Sequence, residues 1–155
     1  MIMALAERES SDARDIGGSP INAEQAEPCY PSDRQPSIRI IMMPRDTNPL
    51  GTIFGGVIMS YIDLSAAIEG QRYHPGRLVT VAMDQVVFKQ PVFVGDLVSF
   101  FTETVRIGKT SVAVKVSVWA KRHSTSPTFV YVTEALVTMV AVDDQFKKLT
   151  IQKQS

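Results

Sequence analysis

The chain has 155 residues, 45% hydrophobic and 21% charged, with no formal net charge at neutral pH. That is enough for one domain with a proper core and too apolar for a disordered chain. No apolar run approaches the ~20 residues of a membrane span, and the Glu, Arg and Asp near the start do not read as a secretory signal peptide.

Charge is unevenly placed. Residues 1–36 hold three Arg and seven Asp or Glu, net −4, and the remainder balances them at +4. A mildly basic folded part suits an anionic small ligand. It lacks the basic stripe and high pI expected for nucleic acid. The single Cys29 has no internal partner and fits a reducing cytoplasm.

In chain order, residues 1–36 carry Gly17, Gly18 and Pro20, then Pro28, Pro31 and Pro36, without apolar periodicity. They read as a disordered or loosely attached tail. A single domain is expected over 37–155. It opens with a strand over 37–43, stopped by Pro44. A loop punctuated by Asp46, Asn48, Pro49 and Gly51 leads to a helix from Gly55 to about Gln71, closed near Gly70 and stopped by His74-Pro75-Gly76.

The period then changes. Strands are expected over 78–89, 97–107, 111–121 and 129–142, separated by Pro91 with Gly95-Asp96, by Gly108-Lys109 and by 124–127. In the third of these, Val112, Val114, Val116 and Val118 face one way, and Ser111, Ala113, Lys115, Ser117, Trp119 and Lys121 face the other. A short polar tail follows, and no internal repeat is visible. Hairpin-like links argue for an α+β fold, an antiparallel sheet with one helix on a face. The helix is apolar nearly all round, so it must be enclosed on more than one side. A long curved sheet wrapped around it would do that.

Asp63 is the only charge between Gly55 and Ile68. A carboxylate buried there is costly unless paired or hydrogen-bonded, so it either solves a structural problem or runs a reaction. Gly55-Gly56 at the helix start presents bare N–H groups at the positive end of the dipole, suited to an anion or a polarised carbonyl oxygen. Close packing against a strand explains the pair equally well. Asn48 and Asp46 fit turn or cap positions, and Ser60 and Tyr61 fit packing.

Asp63 lies seven residues past Gly56, ~10 Å along one helix. Water held by Asp63 would not easily reach a carbonyl bound at its own Gly56, because reacting atoms must approach to ~3–3.5 Å. Two helices packed across a two-fold could bring one Asp63 to the other's glycines, which hints at a dimer with shared sites. His74 and His123 sit in loop contexts, and no metal-ligand spacing exists. There is no Gly-x-Ser-x-Gly elbow. Gly108-Lys109-Thr110-Ser111 resembles only the tail of a phosphate loop and lies between strands, so nucleoside-triphosphate binding is rejected. As a hairpin turn it still offers hydroxyls and an ammonium to a phosphate, and Lys121-Arg122 offers a second contact or a solvated strand end.

Together these residues resemble a known family. Met43-Pro44, Asp46-Thr47-Asn48, Gly51, Ile53-Phe54-Gly55-Gly56, Ile58-Met59-Ser60 and Asp63 are similar to hotdog-fold acyl-CoA thioesterases of the YciA-like group, relatives of brain acyl-CoA hydrolase. Val79-Thr80-Val81, Phe88 with Pro91, Val94-Gly95-Asp96, Gly108 to Ser111, Val118-Trp119 and Thr133-Glu134-Ala135 continue the likeness over roughly 38–145.

The resemblance implies the hotdog fold, paired into homodimers and often trimers of dimers, and hydrolysis of acyl-CoA to free acid and CoA. It implies that Asp63 is general base or nucleophile, that Asn48 of a partner subunit helps place water and substrate, and that the Gly56 amide polarises the thioester carbonyl. Substrate and CoA contacts would come from Phe54 and Gly55, from Val79, Thr80 and Val81, from Gly108, Lys109, Thr110 and Ser111, and from Lys121 and Arg122. No cofactor, metal, nucleic acid or membrane is implied; CoA belongs to the substrate. Val57, Ser65-Ala66 and Pro49-Leu50 depart from close relatives, which bears on acyl-chain preference. A non-catalytic acyl-CoA-binding module would keep the phosphate contacts without needing Asp63 and Asn48. Hydration of acyl thioesters would call for a histidine near the site.

Overall fold

The computed structural model describes residues 28–84, 86–122 and 128–151. Five strands form one antiparallel sheet: β1 (Ile38–Ile41), β2 (Arg77–Asp84), β3 (Leu97–Ile107), β4 (Ser111–Lys121) and β5 (Phe129–Val142). Their order across the sheet is β1-β3-β4-β5-β2. One helix, α1 (Gly55–Gly70), packs against β3, β4 and β5. This is the expected arrangement of a long sheet curled around a single helix.

The inward valines of β4 behave as their alternation requires. Val112, Val114, Val116 and Val118 are fully buried, facing Ile58, Ile62 and Ala66 of α1. Ile58, Ile62, Ser65, Ala66 and Glu69 recur every three or four residues, one helix face turned to the sheet. Each buried Ile or Val stabilises the fold by roughly 1.5–3 kcal/mol.

Three expectations are corrected. First, β2 and β3 are not hairpin neighbours. β2 lies at the far edge, paired with β5, and ends at Asp84 rather than Lys89. The chain then leaves the ladder and crosses back over the start of α1, with Lys89 N donating to Val132 O at 2.8 Å. Second, the residues after β5 are not merely a polar tail. Asp143 Oδ1 accepts from Gln145 N and Lys147 N, turning the chain back. Leu149 N then bonds Ala141 O, Ile151 N bonds Lys109 O, and Ile151 joins the core.

Third, the sheet's outer face is not simply solvated. Tyr30 stacks on Phe129 at 3.9 Å and meets Phe101 and Trp119 edge-on at 5.5 and 5.7 Å. Arg34 donates to Thr102 O, and Arg39 to the Tyr30 hydroxyl. Phe101 and Trp119, which a simple alternation turns outward, are buried as a result. Contacts with the sheet therefore begin before Ser37, because one tyrosine can cover an aromatic cluster. Residues 1–27 of the expected tail lie outside the described residues.

Candidate functional site

Phe54 enters α1 in an extended conformation, and no side chain caps the helix. The first hydrogen bond at this end runs from Val57 N to Phe54 O, 2.9 Å, so among the described residues nothing caps the Gly55 and Gly56 N–H groups. No acidic residue stands in the first turn to neutralise the dipole. Two aromatic rings border the pair. A Cβ on Gly56 would come within 3.1 Å of the Phe54 ring, and one on Gly55 within 3.4 Å of the Phe88 ring. Both rings stay substantially exposed. Small residues are needed here so that the rings can close on bare backbone.

Asp63 lies midway along α1 and is half-buried, not enclosed as the apolar sequence suggested. The reason is that α1 covers only its sheet-facing side with its own chain. Met59, Leu64 and Ile68 remain exposed on the other side, as does Val81 at the β2 edge. Asp63 Oδ1 accepts a 2.5 Å hydrogen bond from Thr80 Oγ1 of β2. Thr80 sits at a register shift between Thr80 and Ala82, the kind of bulge that re-aims a side chain. Val79 and Val81 flank it.

Asn48 shapes its own loop. Its Oδ1 accepts from Leu50 N and Thr52 N, and its Nδ2 donates to Thr52 Oγ1 at 2.8 Å. This is the turn role that a proline neighbour suggests. The loop is closed by a Thr47–Ile53 bridge and delivers the chain to Phe54. Within one chain Asn48 and Asp63 make separate sets of hydrogen bonds.

Gly108 to Ser111 forms the β3–β4 turn, with Gly108 N bonded to Ser111 O at 2.7 Å. Val79 lies opposite Val140, which lies opposite Ser111. Two strand spacings of ~4.8 Å therefore place the turn ~10 Å from the Thr80 region. Lys109 and Thr110 spend their carbonyls on Ile151 N and Ala141 N, leaving their side chains for other work. Lys121 and Arg122 lie at the opposite end of β4, ~30 Å away along the strand. One chain does not bring them together with 108–111. Lys121 Nζ lies 5.9 Å from the Phe129 ring centroid. Arg122 turns inward, paired with Asp96 and donating to Pro91 O at 2.7 Å.

Two charged groups escaped the sequence reading. Glu69, only 7% exposed, is the buried acid of α1. It accepts from Thr104 Oγ1 at 2.9 Å, from Thr102 Oγ1 at 3.4 Å and from Arg72 Nη1. Asp96 is buried as well and accepts from Phe93 N. Polar residues in a strand and a turn carry no signal of such pairing. On the outer face, burial and then the Glu134 carboxylate push the Tyr131 phenol far above the usual tyrosine range. His74 stands beyond the C-terminal end of α1, and His123 lies outside the described residues. Among the described residues no cluster of His, Cys, Asp and Glu could hold a metal, and no helix is long and apolar enough to cross a membrane.

Residues 50–126 match the Thioesterase superfamily model. The chain is 41% identical over 112 residues to the acyl-CoA thioester hydrolase YciA of Escherichia coli K12, covering 71% of this chain and 85% of that protein. It is 39% identical over 120 residues to an uncharacterized acyl-CoA thioester hydrolase of Haemophilus influenzae, covering 76% and 78%. A hexameric hotdog fold thioesterase of Campylobacter jejuni superposes with a TM-score of 0.75 at 45% identity, covering 79% of this chain and 93% of that one.

Proposed function

This chain belongs to the thioesterase superfamily, and from that membership together with its site we infer that it hydrolyses acyl-CoA thioesters to free acid and CoA. The observation that carries the chemistry is the pairing of uncapped Gly55 and Gly56 amides with a carboxylate, Asp63, on one helix. The Gly56 N–H receives the thioester oxygen as it gains negative charge. Asp63 supplies the carboxylate, as base toward water or as nucleophile toward the carbonyl carbon. Collapse of the tetrahedral intermediate breaks the C–S bond and releases CoA as a thiolate, which takes up a proton; on the nucleophilic route the acyl group is left on Asp63 as an anhydride, which water then hydrolyses to the free acid. Water and protein groups suffice as reactants, and CoA leaves as a product.

The enzyme is a homo-oligomer, and hexameric relatives support a trimer of dimers. The ~10 Å between Asp63 and Gly56 along α1 and the exposed apolar side of α1 favour a site shared between two copies. In that arrangement Asn48 of one copy orders its Phe54–Gly56 entry against the other's Asp63. Thr80 and Val79, Val81 at the β2 edge, with the Gly108–Ser111 turn ~10 Å away, form the side that receives CoA, and Lys121 lends a cation from a further copy. An exposed single thiol, Cys29, suits a reducing cytoplasm.

The test is direct. Purified protein is given acyl-CoAs of increasing chain length with a thiol reagent, beside Asp63→Ala. Release of CoA by wild type and its loss in the variant are expected. Equal inertness of both across the whole panel overturns the reading.

A further inference from the structure

Arg122 directly follows β4 and points back to the crossing that joins β2 to β3. Its Nη1 pairs with Asp96 Oδ2, its Nη2 donates to Pro91 O at 2.7 Å, and its guanidinium stacks 4.8 Å from the Phe93 ring centroid. The side chain is 19% exposed and that of Asp96 4%. A guanidinium this engaged is poorly placed to meet a phosphate.

The loop it holds touches the start of α1. Val92 O accepts from Ile53 N at 2.8 Å, and both residues are buried. Ile53 is followed by Phe54, whose ring closes on Gly56. The same crossing lays Phe88 on Gly55. Asp96 fixes the loop from within by accepting from Phe93 N at 2.9 Å, while Met42 N donates to Asp96 O. Buried charges with one partner removed are costly, so separating Arg122 from Asp96 is disfavoured.

We propose that Arg122 is a positioning residue for the reaction: it locks the 91–96 loop, and the loop sets the Gly55–Gly56 amides through the Val92–Ile53 hydrogen bond. The claim rests on the hydrolase reading for its kinetic consequence and on geometry alone for its local one.

Arg122→Gln and the conservative Arg122→Lys are compared with wild type on hexanoyl-CoA and on hexanoyl-pantetheine, which lacks the nucleotide phosphates. Assays run well below the melting temperature of each variant, with folded fraction checked by circular dichroism. Misplacing an oxyanion donor costs at most the ~100- to 1,000-fold of removing one. We expect kcat of Arg122→Gln to fall about tenfold on both substrates, with KM little changed and partial rescue by Lys. Hydrogen exchange is expected to speed up over 52–57 and to stay unchanged over 60–69. A rise in KM confined to the CoA substrate makes Arg122 a phosphate contact and overturns the proposal. So does unchanged exchange over 52–57. If wild type hydrolyses neither thioester, the hydrolase reading fails instead, and the exchange measurement still decides the positioning claim.

Discussion

Thr80 Oγ1 donates to Asp63 Oδ1 at 2.5 Å, tying the edge strand β2 to the middle of α1. The bond engages one carboxylate oxygen, Oδ1. Hydrogen bonds to charged groups contribute ~1.5–3 kcal/mol, and Thr80 is exposed, so the lower figure applies. Thr80→Val is expected to lower kcat about tenfold by letting Asp63 rotate away. Thr80→Ser should restore most of it. Steady-state kinetics on one acyl-CoA decides: an unchanged kcat in Thr80→Val would show that Asp63 is held by other means.

Gly56→Ala separates stability from activity. Ala is a better helix former than Gly by about 1 kcal/mol, but its Cβ would sit 3.1 Å from the Phe54 ring. The ring is exposed and can swing aside, so the melting temperature should change little. The displaced ring and the new methyl both crowd the amide, so kcat should fall at least tenfold. A melting curve and a kcat value from one preparation suffice. A variant that melts normally and turns over normally would remove Gly56 from the site.

Much of the fold was legible because it is written in short-range periods. The valines of β4 alternate without interruption, and Gly55-Gly56 followed by an apolar run with one acid marks α1 and its odd residue together. What escaped is written in pairings between distant positions. Glu69 finds Thr102 and Thr104 on β3, and Asp96 finds Arg122 at the end of β4. No spacing rule announces such partners. The aliphatic neighbours of Asp63 predict an enclosed carboxylate, yet one chain covers only the sheet-facing side of this largely apolar helix. The likeness to a family named the site residues; the geometry of one chain shows which of them already touch.

Glu69 is expected to matter for stability rather than turnover. It is nearly buried and holds α1 against β3 through two threonine hydroxyls. Glu69→Ala removes charge-assisted bonds and takes this acceptor from the Thr104 hydroxyl, while Thr102 keeps its bond to the Ser37 hydroxyl, costing about 2–3 kcal/mol. For a domain of this size the melting temperature should drop by about 4–12 °C. Arg72, its ion-pair partner, is 70% exposed, so Arg72→Ala should cost under about 1 kcal/mol. Urea titrations of the two variants test the order. Equal losses would mean that the ion pair, not the threonine contacts, carries the effect.

Tyr131 makes a prediction in pH. Burial, then the hydrogen bond and charge of Glu134, raise its phenol above the ordinary value of 10.0. A raised folded value means that the fold binds this proton more tightly than the unfolded chain does. The contribution to stability is fully present below about pH 10 and is lost as pH rises through the folded value. In ultraviolet difference titrations, Tyr131→Phe should delete a phenol that titrates above the ordinary tyrosine range. Its stability should also fall less steeply than wild type's above pH 10. A titration in which the variant loses a phenol of ordinary pKa would contradict the burial seen here.

The distance along α1 leads to a test with two dead proteins. Asp63→Asn lacks the carboxylate, and Gly56→Val, with a branched side chain against the Phe54 ring, lacks the amide pocket. If each site takes Asp63 from one copy and Gly56 from the other, a mixed dimer contains one site with both defects and one with neither. Random pairing of equal amounts makes half the dimers mixed, so coexpression should recover about a quarter of wild-type activity per site. If Asp63 and Gly56 serve the same site from one chain, every site carries a defect and nothing returns. Leu64→Asp on the exposed side of α1 supplies the companion result. A charge there should break the pairing of copies, yield a smaller species by sedimentation, and abolish turnover, although both Asp63 and Gly56 are intact in every chain. A fully active small species would place the whole site within one copy.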